Sequence, residues 1–259
     1  HSFQMALIVS LLNLLSAVLL IERKSKFPLK NVFVISVCLV FCAGAAAYLV
    51  NFSHRLNNLS LKRQWKGYTL IDSQNSIYGN LAVTKEKEQY TFFSDGIPII
   101  TSPVPDIVTN EEFIHFGMLS HPDPKDILII GGGTGGPISE ILKHPIKQLD
   151  YAELDPLLIT LVKKYPSALT QQELNNPRTS IKITDGARYI KTTQKLYDII
   201  FVNLPSPTTL QLNRFYTKEF FYTTKKILKD NGGILVFHLP GSLSYLNVQL
   251  QKLNLSILK

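Results

Sequence analysis

A chain of 259 residues, 45% hydrophobic and 18% charged, is long enough for one large domain or a domain with an appendage, and apolar enough for a sizeable core. Its two cysteines, Cys38 and Cys42, lie four apart in an apolar run, which excludes a disulfide framework and reads as packing on one helix face rather than redox or metal chemistry. The net charge of +8 comes from scattered lysines and arginines whose densest groups flank apolar segments. Without a recognition motif or an aromatic-interleaved basic run, that pattern argues for a membrane surface and against nucleic acid.

Residues 3–21 and 32–50 are two 19-residue runs without a charged residue. At about 1.5 Å per helical residue each just spans a hydrocarbon core of about 30 Å, so a two-helix transmembrane hairpin is expected over 1–52. The joining stretch ERKSKFPLK carries Arg23, Lys24, Lys26 and Lys30, and Pro28 breaks a continuous helix. A signal peptide fits the first run less well, because no basic segment precedes it and a second span follows. Gln4 and Asn13 are expected to face another helix rather than lipid. A chain that begins at His1 is expected to be the tail of a larger membrane region. Basic residues on both sides of the second run leave its orientation undecided by charge.

From Trp65 to about Thr101 the pattern turns to short strands: GYTLID, SIYGNLAVTKE, QYTFFSDG and IPIIT. Glu86 to Gln89 and Asp95-Gly96 carry turn chemistry, Asp-Gly being a strong hairpin signal. A helix follows over about 110–120, stopped by His121-Pro122 and Pro124. Residues 53–122 thus read as a linker, a small antiparallel β unit and a helix.

Residues 126–155, DILIIGGGTGGPISEILKHPIKQLDYAELD, carry the densest functional signal. Residues 127–130 read as a buried strand, 131–136 as a glycine turn, about 138–143 as a helix with Pro137 at its first position, and 148–154 as a strand ending in acids. Gly131, Gly133 and Gly136 fit G-x-G-x-x-G, and an acid about 20 residues on can accept hydrogen bonds from ribose hydroxyls. That is a nucleotide-site hypothesis, with a tight strand-to-helix turn and no ligand as the plain alternative. Strands recur at 180–184, 197–204 and 233–239, with helices over 157–164 and 217–229, the latter stopped by Asn231-Gly232-Gly233. Five apolar strands alternating with helices give an α/β fold, a doubly wound parallel sheet over 123–259 with ligands at the carboxyl ends of its strands. The last segment, 243–259, reads as a helix with no sixth strand after it, so a sheet truncated at its C-terminal end is expected.

Those strand ends supply Glu153 and Asp155, then Asp185 with Gly186, then Asn203. In this fold class an acid after the second strand reaches ribose and a side chain after the third reaches the adenine edge; helix capping or a solvated turn is the alternative for each. No metal-ligand spacing, H-E-x-x-H or nucleophile elbow is present.

The ordered set GGGTGG, AELD, TDGARYI, YDIIFVNLPSP and NRFYTKEFF, preceded by a β unit ending in SDG, resembles the polyamine aminopropyltransferases, the spermidine synthase family. The apolar runs resemble the subset of these proteins fused behind transmembrane helices. The resemblance implies a Rossmann-like sheet of the S-adenosylmethionine-dependent transferase type, with decarboxylated S-adenosylmethionine as co-substrate, no metal, and an amine such as putrescine as acceptor. By position it places Gly131, Gly133, Thr134 and Gly135 along the nucleoside, Glu153 with Asp155 at the ribose, and Asp185, Gly186 and Ala187 at the adenine. A multi-pass membrane location with a cytoplasmic catalytic domain is expected, and a homodimer is open as the assembly.

Several positions depart from the family pattern. Thr134 stands where an aspartate usually pairs with the aminopropyl ammonium, and Asn203, Leu204, Pro205, Ser206 and Pro207 replace Asp-Ser-Ser-Asp-Pro. His115, Phe116 and Gly117 replace Tyr-His-Glu, and Gly79 after Tyr78 replaces a glutamine. An attacking amine must be neutral, and Asn203 orients an amine without acting as a base. Asn203, Ser206 and His115 are therefore the catalytic candidates, with His115 standing in for the lost base or serving structure alone. Tyr78, Asp95 and Tyr216 are substrate candidates, Asp95 doubling as a turn residue and Tyr216 as a packing residue. Losing the carboxylate at position 134 also removes one repulsion of ordinary S-adenosylmethionine. Methyl transfer from that compound, and a non-catalytic ligand-binding domain of a membrane protein, remain the alternatives.

Overall fold

The computed structural model describes residues 59–239 and 248–258, together with positions 5, 9, 10, 12, 13, 16, 44 and 55. The chain divides into two compact units, His1–Tyr68 and Thr69–Lys259. The expected multi-pass membrane location is corrected: among the described residues no helix is long and apolar enough to cross a membrane. The longest described helix has 13 residues, about 20 Å of rise against a hydrocarbon core of about 30 Å. The runs expected to span, 3–21 and 32–50, lie outside the described residues except for scattered positions.

The second unit opens with a four-stranded antiparallel meander, β1 (Leu70–Asn75), β2 (Asn80–Glu86), β3 (Gln89–Ser94) and β4 (Ile97–Ser102). Asp95 and Gly96 both take positive φ, 49° and 82°, the conformation a two-residue hairpin needs to match strand twist. Strand β1 runs later than the expected GYTLID because its register is set by pairing with β2, Asn75 opposite Asn80.

Five parallel strands follow, β5 (Asp126–Ile130), β6 (Gln148–Glu153), β7 (Thr179–Ile183), β8 (Ile199–Val202) and β9 (Ile234–Phe237), in the order β7-β6-β5-β8-β9. Ile127 to Ile130 and Ile199 to Val202 are all buried, as central strands covered on both faces require. The helices are α1 (Ile107–Leu119), α2 (Pro137–Leu142), α3 (Pro156–Lys164), α4 (Ala168–Leu174), α5 (Gly186–Thr192), α6 (Leu210–Asn213), α7 (Lys218–Lys225) and α8 (Val248–Leu258). The helix expected over 217–229 is shorter, because Tyr197 and Leu228 form a bridge and the chain has already turned back toward the sheet. Helices α4, α5 and α6 were not expected; Ser167 and Thr170 cap α4 reciprocally with hydroxyls rather than with a glutamate.

The antiparallel sheet is fastened to the parallel one through α3. Leu81, Val83, Phe92 and Ile100 form one apolar cluster with Leu158, Leu161 and Val162. Each such side chain contributes about 1.5–3 kcal/mol when fully buried. Asp72 on β1 accepts from Lys164 Nζ at 2.6 Å and from the Tyr165 hydroxyl at 3.0 Å. The result holds β2 to β4 over the carboxyl ends of β5, β6 and β8.

Candidate functional site

Strand order reverses between β5 and β8, and at such a switch point the loops leave in opposite directions and open a crevice. A cavity of about 870 Å³ lies there, lined by the glycine turn, the ends of β6 and β7, the loop after β8, and the β unit above. It brings together Gly131, Thr134 and Gly135 from the turn; Glu153, Asp155, Asp185 and Gly186 from the next two strand ends; Asn203 and Ser206 from the fourth; and Tyr78 and Asp95 from the β unit.

The turn is built from both sides. On its inner side Gly132, at φ 50°, sits where an added Cβ would lie 2.8 Å from the Asn203 backbone oxygen. Asn203 in turn donates its amide N–H to Ile130 O at 3.0 Å and its side-chain Nδ2 to Gly132 O at 2.8 Å. A Cβ on Gly133 would stand 2.8 Å from the Tyr151 ring, so Gly133 serves packing and is not among the lining residues. From the other side comes Glu173 of α4, fully buried. Its Oε2 accepts from Gly135 N–H at 2.8 Å, and its Oε1 from Gly136 N–H at 2.7 Å and Ser139 N–H at 3.3 Å. Burial pushes its carboxyl up to about 7 despite these donors. The N–H groups with which a helix start would cradle phosphate are thus already taken by the protein itself.

At the second strand end, Glu153 Oε2 accepts from the Tyr151 hydroxyl at 2.6 Å and Oε1 from Asp155 N–H at 3.0 Å. Burial raises its carboxyl above the usual range against those two bonds. The same burial, with the Glu153 charge beside it, raises the Tyr151 hydroxyl well above its ordinary value. Asp155 caps α3 through Leu157 N–H at 2.9 Å, and Asp185 caps α5 through Arg188 N–H at 2.9 Å. Both acids therefore cap a helix and line the cavity at once. Arg214, after α6, reaches across and pairs with the second oxygen of Asp185. Thr134 is buried beside Tyr151, its hydroxyl lacking a partner of hydrogen-bond geometry.

Besides Gly133, three expected site residues stand outside the lining. His115 lies between α1 and α2, its Nδ1 2.8 Å from His144 Nε2 and its Nε2 3.1 Å from Glu140, outside the cavity lining. Tyr216 is buried, its hydroxyl reaching the backbone oxygens of Pro205 and His238 at 3.5 Å, so it braces the loop after β8. Ala187 packs in the cluster under α5 and is not a lining residue. Conversely, Glu173, Arg214 and His238 were not singled out from the sequence. His238, just past β9, lines the cavity and stacks on Phe113 at 3.8 Å, and burial lowers its imidazole below the ordinary value; its place after a fifth apolar strand was the signal available.

Charge decides what such a cavity holds. Among the described residues Asp95, Asp106, Glu153, Asp155 and Asp185 line it, against Arg214 as the one lysine or arginine. An acidic cleft in a chain of net charge +8 concentrates cations and repels phosphates.

The spermine/spermidine synthase domain model matches residues 107–249, more than half of the chain. The chain belongs to this family. A polyamine aminopropyltransferase of Korarchaeum cryptofilum is 33% identical over 174 residues, covering 66% of this chain and 53% of that protein. One from Bacillus subtilis is 35% identical over 165 residues, 63% of this chain and 59% of its own. The chain spans about half the length of the curated relatives it matches. Spermidine synthase from Thermotoga maritima superposes with a TM-score of 0.61 at 28% identity, over 73% of this chain and 62% of that one. A spermidine synthase in complex with the transition state analogue AdoDATO gives 0.56 at 31% identity, over 62% and 55%. The Rossmann-like parallel sheet with its antiparallel companion is thus the spermidine synthase fold, and this spermine/spermidine synthase domain carries its cavity at the carboxyl ends of its own parallel strands.

Proposed function

We propose that this spermine/spermidine synthase domain transfers an aminopropyl group from decarboxylated S-adenosylmethionine to an amine such as putrescine. The observation that carries the reading is the cavity's charge: among the described lining residues five carboxylates stand against one paired arginine, at a glycine turn whose phosphate-type donors are consumed by Glu173. Such a site suits a nucleoside whose tail is cationic and unphosphorylated, and the names of the matched relatives point the same way.

In the proposed arrangement Glu153 accepts from the ribose hydroxyls with Asp155 beside it, and Asp185 with Gly186 edges the adenine. Asn203 and Ser206 face the reacting carbon, while Tyr78 and Asp95 face the acceptor. The neutral amine nitrogen attacks the propyl carbon bound to sulfur. The C–N bond forms as the C–S bond breaks, the electron pair returns to sulfur as methylthioadenosine, and the new ammonium yields its proton to solvent or a lining carboxylate. Negative charge nearby favours the approach of a polyamine while adding nothing for an anion to bind.

Incubating the full chain with decarboxylated S-adenosylmethionine and putrescine is expected to release methylthioadenosine. S-adenosylhomocysteine formed from ordinary S-adenosylmethionine would instead identify a methyltransferase. Tight nucleoside binding with neither product would identify a binding domain.

A further inference from the structure

We propose that Glu173 is a positioning residue for nucleoside binding, its ionised carboxylate holding the Gly135 and Gly136 N–H groups so that the glycine turn presents its inner face to the ligand. The inference rests on the nucleoside site proposed above and concerns a residue that does not line it.

Helix α2 begins without a side-chain cap of its own: its N-cap is Gly136, at φ 129°, and Pro137 at the first position has no N–H. The start of the helix is satisfied instead from α4, by one carboxylate whose two oxygens take three N–H groups at 2.7, 2.8 and 3.3 Å. Residues 135 and 136 belong to the turn that the ligand touches, and Gly135 lines the cavity directly. Both have positive φ, 93° and 129°. A two-oxygen acceptor fixes both peptide planes together, whereas a single cap hydroxyl would fix one. The other side of the same turn is closed by Asn110, whose Nδ2 reaches Gly135 O at 3.4 Å, so the backbone is pinned at a donor and at an acceptor.

The carboxylate is costly to keep charged, being fully buried and facing no cation. Among the described residues no lysine or arginine pairs with it from α4, α2, α3 or β7; Glu140 on α2 adds repulsion. The three N–H donors are what favour its ionised form. Protonation places a hydrogen on an oxygen that faces a donor, and one of the two glycine peptides loses its anchor. Nucleoside binding to the pinned turn therefore releases a proton from Glu173, and affinity falls as pH drops through about 7.

The test uses the full chain and methylthioadenosine as probe, measured by calorimetry between pH 6 and pH 8. Full coupling at a midpoint near 7 weakens wild-type binding about tenfold from pH 8 to pH 6. Glu173→Gln, which copies the protonated state in shape, is expected to bind at least about tenfold more weakly at pH 8 and to lose that part of the pH slope. Glu173→Asp, shorter but ionisable, restores part of the slope. Amide shifts of Gly135 and Gly136 in the wild type report without any variant and are expected to titrate together near pH 7. Two flat glycine amides, or a Glu173→Gln protein that is folded and binds with the wild-type affinity and slope, overturn the positioning role while leaving the nucleoside site standing. A wild-type chain that binds no methylthioadenosine overturns both.

Discussion

In the proposed nucleoside site, Thr134 is the residue expected to set selectivity. Its hydroxyl is buried at the cavity wall beside Tyr151, with no charge to offer a ligand's tail. An uncharged group there neither attracts the aminopropyl ammonium nor repels the carboxylate of ordinary S-adenosylmethionine, so the two sulfonium compounds are expected to bind within about tenfold of each other. Thr134→Asp is expected to widen that ratio by one to two decades in favour of the decarboxylated compound, since a charge placed about 4 Å away at an effective dielectric near 20 is worth about 4 kcal/mol before desolvation. Competitive calorimetry with both compounds measures it, and an unchanged ratio would show that the tail lies away from residue 134. Glycines, Glu153 and Asp185 could be read from the sequence because a strand, a turn and an acid at fixed spacing are local signals. Glu173 could not: it sits in ALTQQEL, which looks like a solvated helix, and its partners are 34 to 38 residues earlier in the chain. His115 stayed open between a base and a structural residue for the opposite reason, since a histidine on a helix beside the site carries no sign of which face it shows. Its partners, His144 and Glu140, turn that face to α2.

Strands were more legible than helices. A run such as ILII or IIFV is apolar without interruption, because both faces of a central parallel strand are covered, and that pattern leaves little else to conclude. Helices α5 and α6 are seven and four residues long, too short to display a helical period, and each is started by a cap that doubles as a turn signal. The junction between the two sheets was likewise invisible, since it depends on α3 presenting Leu158, Leu161 and Val162 to strands some 60 to 80 residues away. That junction holds Tyr78 and Asp95 over the glycine turn. Leu161→Ala is expected to cost about 2–5 kcal/mol of stability by leaving a cavity at a 1% exposed position. It is also expected to raise the Michaelis constant for the amine more than that for the nucleoside, because the proposed nucleoside contacts come from the parallel sheet. Denaturant titration and steady-state kinetics separate the two effects, and equal shifts in both constants would argue against the β unit as the acceptor side.

At the scale of the whole unit, buried carboxylates pull stability in two directions as pH changes. Asp72 and Asp198 stand at the joints of the fold. Burial alone would raise both, but Lys164, Gln74 and Tyr165 hold the first below its ordinary value, and the Asp126 and Lys125 N–H groups with Lys229 hold the second. Their folded-state values lie below the unfolded ones, so their contribution is present above about pH 4 and is lost as pH falls further. Glu173 and Glu153 are raised, Glu173 to about 7. Folding favours their protonated forms, so their contribution is complete below about pH 4.5 and is lost as pH rises, for Glu173 through 7. Stability is therefore expected to peak at about pH 4 to 4.5, between the two windows, and to decline on both sides. Thermal unfolding between pH 3 and pH 9 measures this. Asp198→Asn, which leaves Lys229 and two backbone donors on a weaker acceptor, is expected to lower the whole curve by about 2–4 kcal/mol and to blunt the acid limb. Glu173→Gln is expected to blunt the alkaline limb and leave the acid one. The site would then run at neutral pH on the falling side of its own stability curve, because the ionised carboxylate that holds the glycine turn for its ligand is the form that folding disfavours. A curve that is flat from pH 5 to pH 9 would mean that Glu173 is already ionised throughout, and the proton linkage at the turn would fall with it.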